Sequence, residues 1–171
     1  MTTESIWKTH GYINEYIRFA DQKAGALIGV SSAVVGALVW ADLPGKLKPP
    51  AGPPAVLFYQ LLIAIAFIAL FISFVLAWWA IYPRLLSLKS PAPETPDKLS
   101  PIFFEEIQGQ TVESYVERTS LLSEEEWGKA AAMHCWQLSK VARDKYYWIR
   151  LSARFWLVGT VLACIMILAN R

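Results

Sequence analysis

The chain has 171 residues, 55% of them hydrophobic, and a mean hydropathy of +0.35, above the roughly 45–50% apolar share of a soluble globular domain. Its formal net charge is +2, from 16 Lys and Arg against 14 Asp and Glu, which gives no basis for a nucleic-acid polymer as partner. This length excludes a membrane domain joined to a separate large soluble one, and Cys135 and Cys164 have no partner at useful spacing and read as ordinary reduced thiols.

The apolar excess falls into three blocks, which defines the expected fold class: an all-α integral membrane protein, about three transmembrane helices with cytoplasmic helical extensions. Residues 1–22 place Ile6, Trp7, Ile13, Tyr16, Ile17 and Ala20 at roughly helical spacing, predicting a cytoplasmic N-terminal helix that runs unbroken into the first span. Gly11 is its weak point. The first apolar block begins too late for a signal-peptide core. It covers 23–43 and carries no charge between Lys23 and Asp42, enough to cross ~30 Å of hydrocarbon. Within it Gly25, Gly29, Ala33 and Ala37 recur every fourth residue, a stripe that lets helix backbones approach closely. The stripe serves packing within one chain or an interface between copies.

Residues 44–54 hold five prolines, Pro44, Pro49, Pro50, Pro53 and Pro54, with Gly45 and Gly52, so they read as an external loop. The second span is 55–82, nearly all aliphatic and aromatic and longer than one crossing. Residues 83–150 form a cytoplasmic helical region. Pro83 closes the second span. Pro91, Pro93, Pro96 and Pro101 mark a linker. A short helix is expected over Ile102–Leu122, apolar at Phe103, Phe104, Ile107, Val112, Tyr115 and Val116. Ser123 with Glu126 is a capping-box pair, and no proline follows it, predicting a helix of about 45 residues, or roughly 70 Å. This helix continues into the third span, 151–170, with Arg154 snorkelling.

Trp78, Trp79, Tyr82, Tyr146, Tyr147, Trp148 and Trp156 are expected at one membrane surface, Trp40 and Tyr59 at the other. Lys8, Arg18, Lys23, Arg84, Lys89, Lys140, Arg143, Lys145, Arg150 and Arg154 flank the spans on the first side, against Lys46, Lys48 and Arg171 on the second. The positive-inside rule then puts the N-terminus in the cytoplasm and the C-terminus outside.

Catalysis lacks an inventory. His134 adjoins Cys135, but neighbouring helix positions diverge by about 100° and suit joint metal ligation poorly. Glu124, Glu125 and Glu126 complement a helix N-terminus. The span centres carry only Ser31, Ser32, Ser73 and Thr160, without the ionisable groups of a coupled carrier. No catalytic residue, metal ligand or cofactor is therefore expected, although a pore formed by assembly stays open.

The stretch FADQKAGALIG (19–29), Tyr82-Pro83-Arg84, Phe103-Phe104, Tyr115 and LSKVARDKYYWIR (138–150) together resemble, in order and spacing, the Pycsar transmembrane effectors, bacterial antiphage proteins encoded beside a pyrimidine cyclase. The resemblance implies an abortive-infection effector of the bacterial inner membrane, multi-pass and homo-oligomeric. It further implies that a cyclic pyrimidine nucleotide activates the protein to impair the membrane and kill the infected cell. No β-roll nucleotide-binding domain is evident, so helices or an interface between copies must make the site. A phosphate calls for Arg or Lys. The candidates are Arg143, Arg84, Lys140, Lys145, Arg18 and Lys23, with Asp21 as a pairing group. Arg143 is preferred because one face should be buried there, beside Val141 and Tyr147. Each of these cations also fits a lipid-headgroup anchor. The other function class is a non-catalytic anchor that docks a partner protein through its cytoplasmic helices.

Overall fold

The computed structural model describes residues 3–40, 53–82, 101–103 and 107–169. Most of the 44–54 loop, Arg84, Lys89, residues 90–100 of the proline linker, Phe104 and Arg171 lie outside the described residues, as does the side chain of Trp40. Four helices make up the described chain: α1, Thr3–Trp40; α2, Pro53–Ile81; α3, Val112–Ser120; and α4, Glu124–Ala169. Three of them, α1, α2 and α4, are long and apolar enough to cross a membrane, so the chain is a multi-pass membrane protein of the all-α class.

The long helices follow the sequence closely. Helix α1 passes through Gly11 without a break. Helix α2 starts at Pro53, two residues inside the expected loop; proline suits the first helical turn because its missing N–H has no intrahelical partner there anyway. Helix α4 is 46 residues long and opens on the Ser123 cap. The Glu126 carboxylate accepts from the Ser123 N–H and hydroxyl, both at 2.7 Å, and Ser123 Oγ accepts from the Glu126 N–H at 3.3 Å. These hydrogen bonds hold the Glu126 carboxyl below its ordinary pKa. The expected helix over Ile102–Leu122 shrinks to α3. The Ile107 N–H donates to the Phe103 carbonyl and the Gln110 N–H to the Ile107 carbonyl, and a new helix begins only where Thr111, extended at φ −76°, ψ 157°, accepts from the Ser114 N–H. A threonine cap stops the run because its side chain replaces the missing helical acceptor.

The chain divides into two compact units. The first takes 1–18 and 83–143. In it Ile6 of α1 packs on Ala131 and Cys135 of α4, flanked by Ile13 and Ile102. The Cys135 thiol lies 3.8 Å from the Ile6 carbonyl, and Tyr115 donates to the Pro101 carbonyl at 3.0 Å. No residue of α3 is buried, contrary to the expected apolar face: Val112 and Val116 point outward.

The second unit takes 19–82 and 144–171 and holds the three spans. Leu38, Ala66, Leu70, Ala163 and Met166 form one buried cluster. Ala20, Ala24, Ala80 and Ile149 form another. Helices α1 and α4 therefore run parallel in this unit, with α2 antiparallel to both. The fully buried positions of α4 in this unit are 145, 149, 152, 159, 163 and 166; with half-buried Trp156 they step alternately by four and three, the period of knobs-into-holes packing. Two polar side chains inside the seam pair with backbone across it: Ser152 donates to the Ser73 carbonyl at 2.8 Å, with the two hydroxyl oxygens 3.1 Å apart, whereas the Trp156 indole N–H and the Thr160 hydroxyl find no partner among the described residues. Tyr59 donates to the Met166 carbonyl at 3.0 Å. The outer faces carry Leu57, Phe58, Leu61, Ile65 and Ile68 of α2 and Leu157, Val161, Ile165 and Leu168 of α4, all exposed. An outward apolar coat over helices whose backbone bonds are made internally is what lipid, rather than water, requires.

Candidate functional site

The buried seam of α4 passes through Lys145, not Arg143. Arg143, Val141 and Tyr147 fall beside it, and Arg143 and Tyr147 are exposed. The reason for preferring Arg143 thus fails on helical phase, since a buried face set by Ile149 and Ser152 includes the positions four residues before each, which are 145 and 148. Lys145 has a side chain only 9% exposed and forms an ion pair with Asp21 of α1, itself 40% exposed. The pair lies alongside Ala20, Ala24, Ala80 and Ile149. An ammonium in such surroundings needs a counter-charge, because desolvation without one is costly.

Two residues beyond Asp21, the Lys23 ammonium lies 5.3 Å from the centroid of the Tyr146 ring, a cation–π distance. Asp21, Lys23, Lys145 and Tyr146 thus form one junction between α1 and α4 in the second unit, with two cations and one anion. In the first unit Lys140 sits over the Trp136 ring at 3.6 Å, and Arg18 is exposed. Both keep their charge at the surface, as an anchor or a docking cation would.

The small-residue stripe has an outcome of its own. Gly25, Gly29, Ala33 and Ala37 are all exposed, and a Cβ built on Gly25, Gly29 or Gly36 meets nothing within 4 Å. Among the described residues the glycines of the stripe make no close contact. The glycine that does is Gly159 of α4, against Leu70 and the Ala66 carbonyl. Beside the stripe, Ser31, Ser32 and Gly36 of α1 and Phe67, Phe71 and Phe74 of α2 line a cavity of about 650 Å³. The Ser31 hydroxyl, in a residue 1% exposed, has no hydrogen-bond partner among the described residues.

One cluster was not anticipated. In the first unit the rings of His10 and His134 stack with centroids 5.2 Å apart, edged by Trp7 and Phe103. Burial, and secondarily the neighbouring His10, push the His134 pKa below its ordinary value. The signal for this pair is the seam of α1, in which His10 follows Ile6 by four and precedes Ile13 by three. Among the described residues no three His, Cys, Asp or Glu side chains gather as metal ligands.

No curated protein and no solved structure matches the chain. The family model of the Pycsar effector protein domain matches residues 5–170, a range that includes all three span-length helices and the Asp21–Lys145 junction. The chain therefore belongs to the Pycsar effector family and has a role in the Pycsar antiphage system.

Proposed function

We propose that this protein is the membrane-impairing component of its system and has no catalytic activity of its own. A cyclic pyrimidine nucleotide made during infection binds where cationic side chains meet at the ends of the spans. Copies of the chain then associate through the open glycine face of α1, the inner membrane loses its integrity, and the cell dies before phage mature. The N-terminus lies in the cytoplasm, as the Lys and Arg bias supports, so the nucleotide reaches its site from the side on which it is made. The observation that carries this reading is the extent of the family match. It covers the spans themselves, so the effector unit is a membrane unit. Open glycines on a spanning helix add to it, because small residues let helices of separate chains pack closely in lipid.

A second reading keeps some support from α3. Val112, Val116 and Leu121 stand outward at 73%, 55% and 80% exposure, as they would on a helix that docks another protein. Co-expression separates the two readings. With an active pyrimidine cyclase, cells carrying the chain should admit an impermeant dye; with a catalytically dead cyclase they should exclude it. Dye exclusion in both cases, together with capture of a cytoplasmic protein that a charged α3 face abolishes, would favour docking.

A further inference from the structure

The Asp21–Lys145 pair has a feature that packing does not explain. Its two members are unequally held: the ammonium is 9% exposed and the carboxylate 40%. Lys145 is fixed in the seam between Ala142 and Ile149, while Asp21 can turn into water by rotating its own side chain. A buried ion pair adds little net stability over apolar residues of the same volume, yet removal of one partner leaves an uncompensated charge. The junction therefore demands one negative charge at Lys145, and the group supplying it is the one free to leave.

We propose that Asp21 occupies, in the resting protein, the position of the phosphate of the activating ligand, and that the nucleotide acts by exchange with it on Lys145. This rests on the reading of the chain as a nucleotide-activated effector. The charges match one for one. A 3′,5′-cyclic nucleotide carries a phosphodiester with a single negative charge, as the Asp21 carboxylate does, so exchange leaves the junction's charge unchanged. A linear nucleoside monophosphate carries about −1.5 to −2 at neutral pH, more than the one buried cation, Lys145, balances; Lys23 is exposed, and water and salt screen its charge. The exchange thus discriminates the cyclic signal from its ring-opened product by charge count. Lys23, on the Tyr146 ring beside the pair, supplies a second cation toward which the incoming anion is drawn. The consequence is mechanical: the pair is an ionic tie between α1 and α4, and exchange breaks it on the helix that also carries the open glycine face.

The test uses the full chain purified in detergent, with 3′,5′-cyclic UMP, 3′,5′-cyclic CMP and 5′-UMP as probes, and dye entry in cells. The wild type should bind one cyclic nucleotide at least about tenfold more tightly than 5′-UMP. Asp21→Asn, which cannot compete for the ammonium, should bind the cyclic nucleotide about tenfold more tightly than the wild type and admit dye without the cyclase. Lys145→Met should insert normally and lose binding. The exchange is overturned if Asp21→Asn binds no more tightly than the wild type, or if the wild type holds 5′-UMP as firmly as the cyclic form. The second comparison needs no variant, so it decides the matter even where Asp21→Asn does not fold. A wild type that binds neither cyclic nucleotide overturns the underlying reading as well.

Discussion

Gly159 of α4 faces Leu70 of α2 so closely that a Cβ added to it would stand 2.8 Å from Leu70 Cγ and 3.0 Å from the Ala66 carbonyl oxygen. Leu70 can shift a little, but the carbonyl belongs to helix backbone and cannot. Gly159→Ala should therefore overpack the seam and destabilise the second unit by about 1–3 kcal/mol, despite alanine's better helix propensity. Thermal unfolding in detergent measures this. A variant that melts with or above the wild type would show that the two helices are further apart than described.

Gly29 should behave in the opposite way. Nothing among the described residues lies within 4 Å of an added Cβ there, so Gly29→Leu should leave the melting temperature of the single chain unchanged or slightly raised. Bulk on the open face should instead weaken association and dye entry. Chemical cross-linking in membranes reports the first effect. Wild-type cross-links together with wild-type toxicity would remove this face from the interface.

The two glycines show how far the sequence could be read. The four-residue spacing of Gly25, Gly29, Ala33 and Ala37 identified a small-residue face, but spacing alone does not say which chain covers it. Gly159 stood alone among large residues, and only its place on the 4-3 seam of α4 marks it as a contact. The same phase explains Arg143 and Lys145: the residues flanking Arg143 suggested a buried side, whereas the line through Ile149, Ser152 and Gly159 puts burial at 145. The spans, the continuity of α1 and α4 and the Ser123–Glu126 cap were legible because each is a local signal. The His10–His134 and Asp21–Lys145 contacts join residues more than a hundred positions apart, and periodicity gives only their phase. Helix α3 was overextended because Phe103 and Ile107 suggested one continuous apolar face, whereas the Thr111 cap starts a separate helix.

The Ser123–Glu126 cap has a pH signature. The carboxyl is held below its ordinary pKa by the Ser123 N–H and hydroxyl. Its stabilising contribution is therefore full above the ordinary carboxyl range and fades as pH falls through the lowered value. Amide exchange at Glu126 and Trp127 should quicken in Ser123→Ala at neutral pH, and acidification should lower the protection of these amides in the wild type relative to the intrinsic exchange rate at each pH. Unchanged exchange in Ser123→Ala would show that the cap does not hold the first turn.

His134 titrates nearer neutrality. Burial disfavours its charged form, with a smaller contribution from His10, so its folded pKa lies below the unfolded one. Stability should be full above the ordinary histidine pKa of about 6.5 and decline as pH falls toward the lowered value. Melting of the purified chain between pH 8 and pH 5 should show that decline, and His134→Gln should flatten it. An equally steep decline in His134→Gln would assign the loss to other groups.

Nucleotide-driven leakage in a reconstituted system tests the central claim most directly. The purified chain is placed in dye-loaded vesicles of bacterial lipid, and 3′,5′-cyclic UMP or 3′,5′-cyclic CMP is added outside. Release of dye on addition of one of them, with none from vesicles lacking protein and little with 5′-UMP, is the predicted result. Intact vesicles in the presence of either cyclic nucleotide, with the chain correctly inserted, would contradict the claim that this protein itself impairs the membrane in response to the signal.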